Sequence, residues 1–167
     1  TFIAISTVGL LGDQNESEKS VKKTIEEIRS NYEGPVAIFT ELANRFENRG
    51  NGMLIGFSSV AGERGKATNY IYGSAKAGFT EFLSGLRNRL NNSGVHVMTI
   101  LPGYITTKMT RNMNLPTLLT GKTDELADYL LKAIKNKKEI VFFPPIWKII
   151  MIILKIIPEK IFKKLKI

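Results

Sequence analysis

Tyr72 and Lys76 stand four residues apart, and Ser59 precedes Tyr72 by thirteen positions. Residues four apart share one face of a helix, so the phenol and the ammonium would lie one turn from each other. A lysine ammonium beside a phenol favours the phenolate and lowers the tyrosine pKa from about 10. A phenol tuned in this way can exchange a proton with a substrate oxygen. Ser59 follows the apolar run Met53 to Phe57, which reads as a buried strand. Its hydroxyl is therefore expected where the strands of an open α/β sheet expose their carboxyl ends, the edge at which ligands bind. Small residues surround the pair (Gly73, Ser74, Ala75, Ala77, Gly78) and would let a flat ligand come close to the helix.

These residues need elements to carry them. Phe2 to Thr7 reads as a strand and DQNESE as a loop. Glu18 to Arg49 has the apolar period of a long helix, interrupted by Gly34 and Pro35. Proline offers no N–H to the carbonyl four residues back, which is that of Asn31. The expectation is a kink there, with the freed carbonyl of Asn31 bound to water in the cleft. Gly50-Asn51-Gly52 is a turn, Asn69 to Asn91 a second long helix, and Val95 to Leu101 a strand ended by Pro102-Gly103. Asn112 to Gly121 is expected to be a mobile lid. Thr123 to Ile134 reads as a helix capped by Thr123, and Glu139 to Phe143 as a short last strand. Strands alternating with helices predict a parallel sheet with right-handed crossovers.

The motifs SSVAG, YGSAKAG and LPG, with Asn31, resemble the short-chain dehydrogenase/reductase family over roughly Phe2 to Val141. The resemblance implies an NAD- or NADP-dependent oxidoreductase with a Rossmann-like, doubly wound parallel sheet. In that family tyrosine is the general acid/base, serine holds the substrate oxygen, lysine binds the nicotinamide ribose, and asparagine completes a proton relay. These roles fall on Tyr72, Ser59, Lys76 and Asn31. Tyr72 and Lys76 would also touch the cofactor, joined by Gly9, Pro102, Gly103, Ile105 and Thr107. Ile105 would hold the carboxamide and Thr107 the phosphates. Ser6-Thr7-Val8-Gly9 stands where the family usually has Asn-Asn-Ala-Gly. No Gly-rich strand-to-helix turn occurs, so by resemblance Thr1 falls before the family's fourth strand and the chain is expected to be the carboxyl-terminal part of a longer enzyme.

Residues 1–143 are thus expected to be part of the reductase domain and 144–167 an apolar, basic, amphipathic helical tail. The run from Ile146 to Ile157 is too short for a spanning helix, since twelve residues cover about 18 Å of a core of about 30 Å. Trp147, Phe162 and six lysines (148, 155, 160, 163, 164, 166) suit peripheral contact of 146–167 with anionic lipid. GLLGD, SSVAGER, NYIYGSAKAG and this tail resemble the members of the family that reduce a keto sugar carried on a polyprenyl phosphate in cell-wall precursor synthesis. The substrate is expected to be a small or lipid-linked carbonyl compound, and the full-length protein a homo-oligomer. The setting is expected to be cytoplasmic, at the inner membrane face.

The net charge is +9, and much of it sits in the tail beside apolar residues, not among base-stacking aromatics. Nucleic acid is therefore not expected as a partner. With no cysteine and one histidine, His96, thiolate chemistry is excluded and no metal site is expected. The rival reading is a catalytically inert membrane-surface scaffold that keeps the fold.

Overall fold

The computed structural model describes residues 2–111 and 113–165. Four strands form one parallel sheet in the order β1 (Ile3–Ser6), β2 (Gly52–Phe57), β3 (Val95–Pro102), β6 (Ile140–Phe143). Side chains alternate across these strands, so β2 and β3 each feed two cores. Leu54 and Val97 face α3 (Gly34–Arg49) and α4 (Tyr70–Arg89), where Phe39, Ala43, Phe79 and Leu83 are buried. Met53, Ile55, Met98 and Ile100 face the opposite way, onto Tyr129 and Ala133 of α5 (Thr123–Lys135). This is an α/β, Rossmann-like sheet wound on both faces.

The kinked helix takes another form. Helix α2 (Val21–Ile28) passes into α3 through a π turn, Arg29–Glu33, in which the Gly34 N–H bonds to the Arg29 carbonyl five residues back. The proline-imposed gap is absorbed by widening one turn, a device found at many functional sites. DQNESE is not all loop: Asp13 Oδ1 accepts the N–H groups of Asn15 and Glu16 at 2.9 and 3.3 Å and caps the short helix α1 (Gln14–Ser17). Thr123 is the first residue of α5, not its cap. The cap is Lys122, whose N–H reaches Glu125 Oε2 at 3.1 Å.

Pro102 does not stop the ladder. It pairs with Phe143, and the next N–H, that of Gly103, donates to the Phe143 carbonyl at 2.8 Å. A proline fits there because the rung needs an N–H only from the residue after it. The expected lid is tied at its far end. Thr120–Gly121 (β5) pairs with Tyr104–Ile105 (β4), and Trp147 Nε1 donates to the Leu119 carbonyl at 2.9 Å. Asn112, at the start of that segment, lies outside the described residues, as do Thr1 and Lys166.

After β6 the chain forms α6 (Ile146–Ile156) and α7 (Glu159–Phe162), which strap across the end of the sheet. Trp147 and Met151 are buried with Val60 and Leu101. Arg64 fixes the far end: it stacks on Phe162 at 4.0 Å, donates to the carbonyls of Leu154 and Lys155, and pairs with Glu159 at 2.8 Å.

Candidate active site

Each functional side chain has a structural reason for its place. Ser59 leaves the end of β2 in extended conformation, and its Oγ accepts the Ala61 N–H at 3.1 Å, opening a 3-10 turn over Val60–Gly62. That turn lies directly on α4. A Cβ added to Gly62 would stand 2.7 Å from the Ala77 nitrogen, and one on Gly73 would stand 2.7 Å from the Ala61 carbonyl oxygen. Only glycine at both positions lets Ser59 approach the first turn of α4, where Tyr72 sits. Ser58 secures the same junction, donating to the Lys76 carbonyl at 2.8 Å with Thr80 Oγ1 2.6 Å away.

Lys76 is 2% exposed. Its Nζ donates to the carbonyls of Val8 and Phe57, both at 3.0 Å, and so bridges the carboxyl ends of β1 and β2. Burial pulls its pKa from 10.5 down to about 8. Asn31, wholly buried in the π turn, holds the loop after β1 from the other side. Its Oδ1 accepts the Leu10 N–H at 3.0 Å, and its Nδ2 donates to the carbonyls of Leu10 at 2.7 Å and Glu27 at 2.8 Å.

The phenol departs from expectation. Tyr72 stands above its ordinary value of 10.0, not below it. Burial is the largest cause, a hydrogen bond from Ser59 acts the other way, and the Glu27 carboxylate adds a smaller upward push. The Lys76 ammonium lies over the Tyr72 ring at 5.8 Å from its centre and is turned toward two carbonyls. Desolvation therefore decides the sign.

A cavity of about 360 Å³ opens at the carboxyl ends of β1, β2 and β3. Gly9, Ser59, Tyr72, Lys76, Pro102, Gly103, Ile105 and Thr107 all line it, so eight of the nine residues singled out from the sequence meet at one place. Asn31 stands behind the wall, its Oδ1 3.6 Å from where a Cβ on Gly9 would lie. Lys76 Nζ is 3.5 Å from that same point. The absence of a side chain at Gly9 thus keeps the floor beside the ammonium open, which fits the ribose and flat ring of a nicotinamide dinucleotide. No Gly-rich turn for its pyrophosphate is present in the chain.

Ser59, Tyr72 and Gly103 also border a second cavity of about 100 Å³. It is walled by Tyr104, Met109, Met113 and Trp147 and carries Lys66 and Asn69, two residues that sequence reasoning passed over. Burial lowers the Lys66 pKa, and Asn69 Oδ1 is buried without a partner. Ser59 and Tyr72 therefore stand on the boundary between two spaces. Trp147 closes the second space by edge-on contact with Tyr104 at 5.2 Å. A Cβ on Gly103 would fall 1.9 Å from Trp147 Nε1. Gly103→Ala must displace the indole and should cost about 1–3 kcal/mol. The emission of this single tryptophan should shift as the ring moves. An unchanged melting temperature and spectrum would show that the ring is not held there.

Residues 3–117 match the family model described as short chain dehydrogenase. An uncharacterized oxidoreductase of Mycobacterium tuberculosis is 33% identical over 97% of this chain and 65% of its own length. One of Streptomyces coelicolor is 29% identical over 94% and 62%. The chain thus spans less than two thirds of the length of these relatives. Among solved structures, a short chain dehydrogenase from Burkholderia cenocepacia in complex with NADP superposes with a TM-score of 0.80 at 22% identity, covering 93% of this chain and 66% of that one. Another, from Sphingobium yanoikuyae with NADPH, gives 0.78 at 24% identity, covering 86% and 57%. With the serine, tyrosine and lysine converging on the carboxyl edge of a parallel sheet, and with the family model matched over most of its length, this chain belongs to the short chain dehydrogenase family.

Proposed function

We propose that this protein is an NAD- or NADP-dependent oxidoreductase that reduces a carbonyl group to an alcohol. The observation that carries the proposal is the convergence of Ser59, Tyr72 and Lys76 on one cavity beside Gly9, Pro102, Gly103, Ile105 and Thr107. The solved relatives in complex with NADP and NADPH support a nicotinamide dinucleotide as cofactor. When bound, that cofactor supplies the hydride. Lys76 would hold its ribose, Gly9 would leave room for it, and Pro102 to Thr107 would border its ring and phosphates.

The chain's own residues handle the proton and the geometry. Ser59 donates a hydrogen bond to the substrate oxygen and fixes its position. Tyr72 gives the proton. A phenol raised above 10.0 keeps that proton throughout the neutral range, so Tyr72 is poised to donate it. Lys76, near 8, is charged at neutral pH and stabilises the phenolate left behind. Asn31 supports a relay that returns the proton: its locked side chain holds the π turn against Val8 to Leu10, and water at its main-chain carbonyl would be the next station after Lys76.

The substrate proposed is a lipid-linked keto sugar. Lys66 and Asn69, which line the second cavity, support a substrate with an anionic or polar group near its carbonyl. Homo-oligomeric assembly belongs to the same proposal, and the exposed Val21, Ile25 and Ile38 on α2 and α3 offer it an apolar face.

The deciding experiment is to follow NADPH and NADH fluorescence and absorbance while a panel of ketones is added. Binding should enhance nicotinamide emission, and an accepted ketone should consume the cofactor. The pH profile of kcat/KM, which reports the free enzyme, should fall as Lys76 loses its proton near pH 8. A scaffold without chemistry would consume no cofactor with any ketone at any pH, and that result would end the proposal.

A further inference from the structure

Helix α6 has two apolar faces, and the fold uses one. Trp147, Ile150, Met151 and Leu154 repeat at the helical period and pack on the sheet end. Ile146, Ile149, Ile153 and Ile156 repeat at the same period on another side and are 40–74% exposed. Ile152, Ile161 and Leu165 extend this bare surface, each more than 40% exposed. Burying only the first stripe would have sufficed to hold the strap, so a second stripe of isoleucines calls for another occupant.

Charge identifies the occupant. Lys148, Lys155, Lys160, Lys163 and Lys164 are all exposed around this surface. Lys155 is matched by Glu63 at 2.7 Å and the exposed Glu159 by Arg64, so the net positive charge comes from Lys148, Lys160, Lys163 and Lys164, which form no ion pair among the described residues. Isoleucines flanked by lysines complement a surface that is apolar beneath and anionic above. Eleven residues of α6 reach only about 17 Å, short of a bilayer core of about 30 Å. Among the described residues no helix is long and apolar enough to cross a membrane.

We propose that α6 and α7 form a preformed docking face that seats this protein on anionic lipid bilayers, with the exposed isoleucines entering the acyl boundary and the lysines meeting the headgroups. The strap's inner face carries Trp147, which walls the cavity bordered by Ser59 and Tyr72. Docking would therefore set the substrate cavity near the lipid surface, where a substrate with an apolar carrier is held. That consequence rests on the reductase reading; the docking does not.

The test is co-sedimentation with vesicles of phosphatidylcholine alone or with about a third phosphatidylglycerol. Binding to the anionic vesicles should be at least about tenfold tighter than to the neutral ones and should weaken steeply with added salt. Ile149→Ser with Ile153→Ser should abolish it, and Lys160→Glu with Lys163→Glu and Lys164→Glu should weaken it about tenfold or more. All these side chains are exposed, so the Trp147 emission that reports the strap's packing should stay constant, as should turnover of a water-soluble ketone. Binding that survives both sets of changes, or no binding to either vesicle, overturns the proposal. So does a dimer that the isoleucine variant splits while vesicle binding is unchanged, which would make the face a contact between copies. Loss of ketone turnover in the unmutated protein would count against the reductase reading alone.

Discussion

Tyr72→Phe should lower ketone reduction by about 10³-fold, within the 10²–10⁴ that a positioned acid contributes, while NADPH binding stays intact. The substitution removes one oxygen and keeps the ring, so the contact with the overlying Lys76 survives. What disappears is the hydroxyl on the boundary of the two cavities that burial keeps protonated through the neutral range and that is hydrogen-bonded with Ser59. Ser59 can still orient the substrate oxygen, but its alkoxide is far too basic to replace the phenolate. A variant that binds NADPH and turns over at more than a tenth of the normal rate would contradict the assignment of Tyr72 as the acid.

Lys76→Met should act on both chemistry and stability. Turnover should fall by about 10² or more, because the phenolate formed at Tyr72 loses its nearest cation. The carbonyls of Val8 and Phe57 lose their shared donor, and each buried acceptor left unpaired costs about 1–3 kcal/mol. The pH dependence separates this from simple loss of packing. Below pH 8 the folded and unfolded chains both carry the lysine proton, and the cost of burying the ammonium is felt in full. Between about 8 and 10.5 the folded chain releases the proton first, so this group raises wild-type stability as pH rises. Methionine has no proton to release. The stability gap between wild type and variant should therefore widen from pH 7 to pH 10, by up to about 3 kcal/mol, in denaturant titrations at each pH. A gap that stays constant or narrows would show that Lys76 does not titrate in this window.

The sheet and its long helices were readable from sequence because their hydrophobic periods differ and extend over many residues. The run Met53 to Phe57 lies within β2, and Asn69 to Asn91 brackets α4. The convergence of Ser59, Tyr72 and Lys76 on one cavity was readable because Ser59 follows the end of β2 and the other two sit at a fixed offset on α4. The errors share one cause: each concerned a local choice between near-equal options that tertiary contacts decide. A missing proline donor can be met by a kink or by a wider turn, and the π turn was chosen where Asn31 must reach both Leu10 and Glu27. The Tyr72 pKa depends on how deeply the phenol is covered and where the lysine points, neither of which spacing reveals. Asp13 was a missed signal, since an aspartate three residues before Glu16 is an ordinary helix start. Lys66 and Asn69 lie in a charged loop with no periodicity, and only folding brings them to the cavity wall beside Trp147.

Strand β1 stands at the border of the sheet with its outer row of N–H and C=O groups unpaired by any described strand. Ile3 and Ile5 lie in register with Met53 and Ile55, on the face that α5 covers farther in, yet they are 46% and 48% exposed. A bare backbone row next to uncovered isoleucines is a template for another extended segment. An extended segment laid along β1 should slow hydrogen exchange of the β1 amides and cover Ile3 and Ile5. A charged residue at Ile3 or Ile5 should weaken that pairing, because it would place an ion on the apolar face that the segment has to cover.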